Sequence, residues 1–151
     1  MFLGKFSRTL DATSSFALPP TFAGLLSGGA YLTQGFDRNL QVLTNAAFHE
    51  IYRTVMSLNT TNPLARLLLR LVLGSAQELR VDANGQFTIP EELKQFANLQ
   101  NDIFLIGQGE YFEIWAPELW GLQEAQLRDA ETNASRFSAL TVSVHSSKSA
   151  G

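Results

Sequence analysis

The chain has 151 residues, 45% hydrophobic and 17% charged, which suits one compact domain or two small fused ones and excludes a disordered or fibrous protein. It has no cysteine, so disulfides and thiolate metal sites are excluded, and its two histidines, His49 and His145, stand far apart. The formal charge of −3 is uneven: residues 1–75 carry six Lys/Arg against three acids and residues 76–151 five against eleven, so only the N-terminal half has the sign that favours a polyanion.

The opening MFLGKFSRTLD is apolar only in snatches and lacks the long apolar core of a signal peptide, so the chain is expected to stay inside the cell. A first strand leads into the polar turn of LDATSSFALP, followed by a second strand that ends at Pro19 and a short helical segment. Residues 30–33 and 40–43 form a strand pair turned through Gly35. Phe48, Ile51, Tyr52 and Val55 then recur at helical spacing, with Thr44 or Asn45 as cap. Asn62-Pro63 starts another helix, with Leu64, Leu67, Leu68 and Leu71 on one face. At LARLLLRLVLG the run is well short of the roughly 20 residues of a membrane span and carries Arg66 and Arg70.

The second half repeats the first. At an offset of 71 Asp11 lies over Asp82, Phe16 over Phe87 and Pro19 over Pro90; at 72, Gly35 lies over Gly107, Leu40 over Phe112, Val42 over Ile114 and Phe48 over Trp120. Punctuation and apolar positions recur in order, as an internal duplication requires. In VDANGQFTIP the pair Asn84-Gly85 predicts a type I′ hairpin, with weaker turn chemistry at Thr13-Ser14 in the first copy. Pro90 opens the short helix EELKQF, residues 103–106 and 111–115 pair through Gly107-Gln108-Gly109, and a helix runs from about Pro117 past Arg128. The end, TVSVHSSKSAG, is expected to be disordered.

Few residues carry chemistry on their own. Gly107-x-Gly109 precedes a strand, so it reads as a hairpin turn and not a phosphate cradle. Glu91-Glu92, and Glu110 with Glu113, lack an accompanying nucleophile, cofactor motif or paired histidine. Arg66 and Arg70 read as a solvated helix face, His49 as a helix-boundary residue, and Trp115 and Trp120 as packing residues. No catalytic, cofactor-binding or metal-binding residue is assigned, and no enzyme activity is expected.

The duplicated unit, with FLG at residues 2–4, LD before a tight turn, a proline closing the next strand, and the linker ARLLLRLVLGSAQELRVD, resembles the MraZ family, and each unit resembles the SpoVT/AbrB-type module. The resemblance covers roughly residues 2–130. It implies a mainly β, α+β fold of two tandem swapped-hairpin β-barrel units with connecting helices: unit 1 at 5–47, linker helices at 48–75, unit 2 at 76–119, and a C-terminal helix and tail at 120–151. It also implies a cytoplasmic, nucleoid-associated transcriptional regulator that forms homo-oligomeric rings on direct repeats of promoter DNA upstream of the cell-division and cell-wall gene cluster, with no membrane partner, small-molecule substrate or cofactor.

The family signature is Asp-x-x-x-Arg, usually within Asp-x-Lys-Gly-Arg. The aspartates match as Asp11 and Asp82, but the arginine positions hold Ser15 and Gln86 and the lysine positions Thr13 and Asn84. An arginine fork on a guanine edge gives roughly 1–3 kcal/mol of discrimination, which serine and glutamine replace only with neutral hydrogen bonds. The expected DNA-binding residues are therefore Lys5, Arg8, Thr13, Ser14, Ser15, Asn84 and Gln86, with Asp11, Asp82 and Gly85 structuring the loops. The alternative is an oligomeric assembly protein whose DNA binding is weakened or lost.

Overall fold

The computed structural model describes the backbone of residues 1–150 and the side chains of residues 1–140. The strands are β1 (Lys5–Thr9), β2 (Ser15–Ala17), β3 (Ala30–Gln34), β4 (Leu40–Thr44), β5 (Gln77–Leu79), β6 (Gln86–Thr88), β7 (Asp102–Gly107) and β8 (Tyr111–Trp115). The helices are α1 (Pro20–Leu25), α2 (Asn45–Met56), α3 (Pro63–Ser75), α4 (Glu91–Phe96), α5 (Pro117–Arg128) and α6 (Ala130–Ala150). This is the α+β class expected, with strand, turn, strand, short helix, strand pair and helix occurring twice in that order.

The repeats do not each close a barrel of their own. Six strands form one antiparallel sheet in the order β1-β7-β8-β4-β3-β5, open at both edges, and β2 pairs with β6 in a separate ribbon. First-copy β1 therefore sits on second-copy β7, and second-copy β5 sits on first-copy β3. The order reads the same when the copies are exchanged, so a pseudo-twofold axis relates them. It passes between the directly opposed pairs Phe16 and Phe87, and Gln41 and Glu113.

The pairing also corrects the alignment of β3 with β7. It sets Gln34, not Gly35, at the place of Gly107, since Gln34 opposes Leu40 and Gly107 opposes Phe112. Arg8 opposes Ile103, while Leu79, its counterpart at the offset of 71, opposes Ala30. Ile103 thus takes the place of Ala30, one residue away from the Tyr31 that an offset of 72 selects. A one-residue slip in a strand exchanges its faces. The corrected match aligns the burial of the two strands, with Ala30, Leu32 and Thr33 buried in one and Ile103, Leu105 and Ile106 in the other.

Residues Met1–Pro117 form one compact unit. Its core holds Phe2, Phe22, Phe87 and Phe112 among Leu32, Leu40, Ile103 and Leu105, all nearly or fully buried. Phe22 takes the ring of Phe2 edge-on at 5.0 Å and lies 4.9 Å from Phe112, arrangements that add to plain area burial. Helix α2 starts where Thr44 accepts the amide of Ala47, and α3 where Asn62 accepts that of Leu64, so both caps satisfy an N–H left over at a helix start. The face that α3 buries is not the expected leucine row: Ala65 and Val72 are buried, whereas Leu64 and Leu67 are 72% and 61% exposed.

The second unit, Glu118–Gly151, holds most of α5 and all of α6. The turn between them is set by Asp129, whose carboxylate accepts the amide and hydroxyl of Thr132. Trp120 is buried and donates its indole N–H to Glu124. The end expected to be disordered, from residue 141, is instead helical in its backbone as far as Ala150, within α6, and its side chains lie outside the described residues. Among the described residues no helix is long and apolar enough to cross a membrane.

Candidate nucleic-acid interface

Two hairpin loops related by the pseudo-twofold axis, residues 11–15 and 82–86, carry most of the expected site. Each is built the same way. In the first, Ser14 donates its amide to the carbonyl of Asp11 and Asp11 donates to Ser15; in the second, Gly85 donates to Asp82 and Asp82 to Gln86. Within these loops positive φ falls only on Ser14 (61°) and Gly85 (73°). The expected type I′ turn, which needs positive φ at both central residues, is therefore replaced by a tight turn followed by one left-handed residue that forms a bulge.

The aspartates anchor these loops. One carboxylate oxygen of Asp11 accepts the amide of Thr13 at 2.8 Å, its hydroxyl at 2.7 Å and the amide of Ser15 at 2.9 Å. Asp82 likewise accepts the amides of Asn84 and Gln86 at 2.9 and 2.8 Å. The Ser15 amide and the Thr13 hydroxyl hold the Asp11 carboxyl below its usual range, because donors aimed at a carboxylate favour the charged form.

The loops project from the two ends of the β2–β6 ribbon. With three residues in each strand, they stand on the order of 10 Å apart. Phe16 and Phe87 meet beneath the ribbon at 5.8 Å, and the backbones lock across it: Ile89 donates to Ser14 and Leu18 to Gly85, at 3.0 and 2.9 Å. Leu10 and Phe16 on either side of the first loop and Phe87 after the second are buried in the core, whereas Val81 before the second is half-buried.

The expected contact residues fall into different surroundings. Thr13 and Asn84 are exposed at the loop tips. Gln86 is half-buried opposite Ala17. Ser15 is buried, with its hydroxyl 2.6 Å from that of Thr88 and accepting from Thr13 at 3.1 Å. Ser14 is also buried. Arg8 is tied down, its Nε donating to the carbonyl of Ala17 and a terminal nitrogen to that of Ser7, both at 2.8 Å, so it braces β1 against β2. Lys5 opens β1 at the end remote from the loop, its ammonium 4.6 Å from the ring centroid of Phe104.

One residue beside the loops escaped the sequence reading. Lys94 of α4 donates to the Ser14 hydroxyl at 3.0 Å, bringing an ammonium group from the second repeat onto the loop of the first. Its only sequence signal was its alignment with Ala23, which says nothing about contact across the axis. Among the described residues no group of three or more His, Cys, Asp or Glu side chains converges as a metal would require.

Residues 72–141 match the family profile described as "MraZ protein, putative antitoxin-like". The chain is 34% identical over 137 residues to the transcriptional regulator MraZ of Roseiflexus castenholzii, covering 91% of this chain and 94% of that one. It is 35% identical to the protein of the same name from Methylococcus capsulatus, over 93% of this chain and 99% of the relative. With the one from Mycolicibacterium smegmatis it shares 33% identity over 93% and 94%.

Proposed function

The chain belongs to the MraZ family, and we propose that it is a cytoplasmic, nucleoid-associated transcriptional regulator that binds direct repeats of promoter DNA as a homo-oligomer. The observation that carries this reading is the pair of aspartate-anchored loops held at the two ends of one ribbon. Such a platform presents two similar tips at a fixed spacing, which suits a repeated polyanionic ligand. A single tip offers few contacts, and several protomers multiply them through effective concentration. Leu64, Leu67, Tyr52 and Met56, all exposed on α2 and α3, supply an apolar surface for that assembly. A ring on repeats upstream of the cell-division and cell-wall genes is the form we propose, and no catalytic role is part of it.

The second reading, an assembly protein with weakened DNA binding, is favoured by the Ser15 side chain, which turns into the ribbon to meet Thr88. Gln86→Arg separates the two, since this half-buried edge position can take a longer side chain without breaking the Ser15–Thr88 contact. Fluorescence anisotropy on G-rich repeat and scrambled duplexes across salt is the measurement, with light scattering to follow assembly above the 16.6 kDa of one chain. If the loops meet DNA, the variant steepens the slope of log K against log salt by about 0.9 for each added phosphate contact and gains roughly 1–3 kcal/mol of preference for the repeat. An intact oligomer with unchanged affinity and slope leaves the assembly reading in place.

A further inference from the structure

We propose that Lys94 is a phosphate-contacting residue, and that it gives the two loops unequal roles on DNA: the 11–15 loop binds with a cation lent by the other repeat, and the 82–86 loop binds without one. This rests on the DNA-binding reading above.

The loop sequences DATSS and DANGQ contain no lysine or arginine, so any positive charge at a tip must come from elsewhere in the fold. Lys94 meets that need at one tip only. Its ammonium donates to a neutral hydroxyl, that of Ser14, which orients the group without cancelling its charge. A lysine has three donors, so the bond to Ser14 leaves others for phosphate oxygens. Ser14 is itself fixed in the left-handed region at 61° beside the Asp11 anchor, so the ammonium is positioned by the rigid part of the loop. Lys94 is also half-exposed, as a group that meets both a protein hydroxyl and a solvent-side phosphate must be.

The pseudo-twofold axis provides an internal comparison. Lys94 corresponds to Ala23 and Ser14 to Gly85, so at the 82–86 loop both the ammonium and the hydroxyl that holds it are missing. In their place is an open depression of about 360 Å³ lined by Ala23, Gly24, Ser27, Asp82 and Gly85. A Cβ built on Gly85 would stand 3.8 Å from the Cβ of Ala23, so the helix and the loop adjoin there as their counterparts do. The depression has room for a lysine side chain at position 23, so the missing charge can be supplied by substitution although the hydroxyl at position 85 is still absent.

The test measures salt-dependent binding of full-length Lys94→Gln, Lys94→Arg and Ala23→Lys to one repeat duplex, with thermal unfolding and light scattering on each variant. Lys94→Gln is expected to reduce the salt slope by about 0.9 for each protomer in contact with DNA, Lys94→Arg to retain the native slope, and Ala23→Lys to steepen it by a similar amount. A native slope in folded Lys94→Gln overturns the proposal and leaves the DNA-binding reading standing. Should Lys94→Gln fail to fold, Lys94→Ala, which carries the residue of the matching position 23, decides, and a native slope there overturns the proposal. If the native protein shows no salt-dependent binding at all, both readings fall together.

Discussion

Two carboxylates have opposite effects on stability with pH. Glu113 is pushed above the ordinary glutamate value of 4.5 by burial, although the indole of Trp115 and the amide of Asn39 donate to it, and the nearby charge of Asp37 pushes the same way as burial. The folded state therefore holds this proton more tightly than the unfolded chain, and stability falls as pH rises from 4.5 through the raised value. Asp11 is depressed, so its contribution is present above the ordinary 3.8 and lost as pH falls through the lowered folded value. Glu113→Gln should remove the decline on the alkaline side of 4.5 and leave the acid-side loss unchanged, as read from urea midpoints across pH. A decline that survives in the variant would assign it to another group. The loop-anchoring role of Asp11 and Asp82 was legible because an aspartate reaches amides two and four residues ahead from its own turn. The bracing of β1 against β2 by Arg8 was not, since the carbonyl it grips, that of Ala17, arrives only when the chain folds back.

The N-terminal segment shows how a local element depends on a distant one. Phe2 exchanges two backbone hydrogen bonds with Gly109, both 2.8 Å, and Gly107 donates to Gly4. Gly107 permits this approach, for a Cβ there would lie 2.5 Å from the carbonyl oxygen of Phe2. The sequence marks Gly107-Gln108-Gly109 as a turn, and it cannot show that the first glycine makes room for a strand more than a hundred residues away. Removing the Phe2 ring by Phe2→Ala should cost about 3–5 kcal/mol, the usual range for a buried phenylalanine. For a chain of this length that is on the order of a 10 °C drop in Tm. A loss below about 1 kcal/mol by urea unfolding would place Phe2 outside the core. The helix starts at Thr44 and Asn62 were readable from their caps, whereas the buried face of α3 was not. Periodicity groups leucines on one side, but Thr33 fixes the docking by bonding the carbonyl of Val72 and the hydroxyl of Ser75.

In the molecule as a whole, each repeat depends on the other for its strand partners. The duplication was visible in the order of residues and the resemblance implied swapped hairpins, but which strands cross the axis was not, because a repeat folding on its own sheet would have the same sequence pattern. The consequence can be tested by dividing the chain in the exposed connection between α2 and α3. A fragment of residues 1–61 keeps only the β3–β4 hairpin and one of residues 62–151 only β7–β8, and an isolated hairpin is at best marginal. The pseudo-twofold axis lets either fragment pair with a second copy of itself, and the residues on the axis decide whether it does. Phe16 and Phe87 are interchangeable there. Gln41 and Glu113 are not, because self-pairing of the C-terminal fragment would set two Glu113 side chains directly opposite each other, where like charges destabilise. Circular dichroism near pH 7 should therefore show no cooperative melt for the C-terminal fragment alone and a native-like melt for the equimolar mixture. Glu113→Gln in that fragment should allow it to self-pair. A C-terminal fragment that melts cooperatively on its own without this change would show that the neutral–acidic pair on the axis does not select the mixed arrangement.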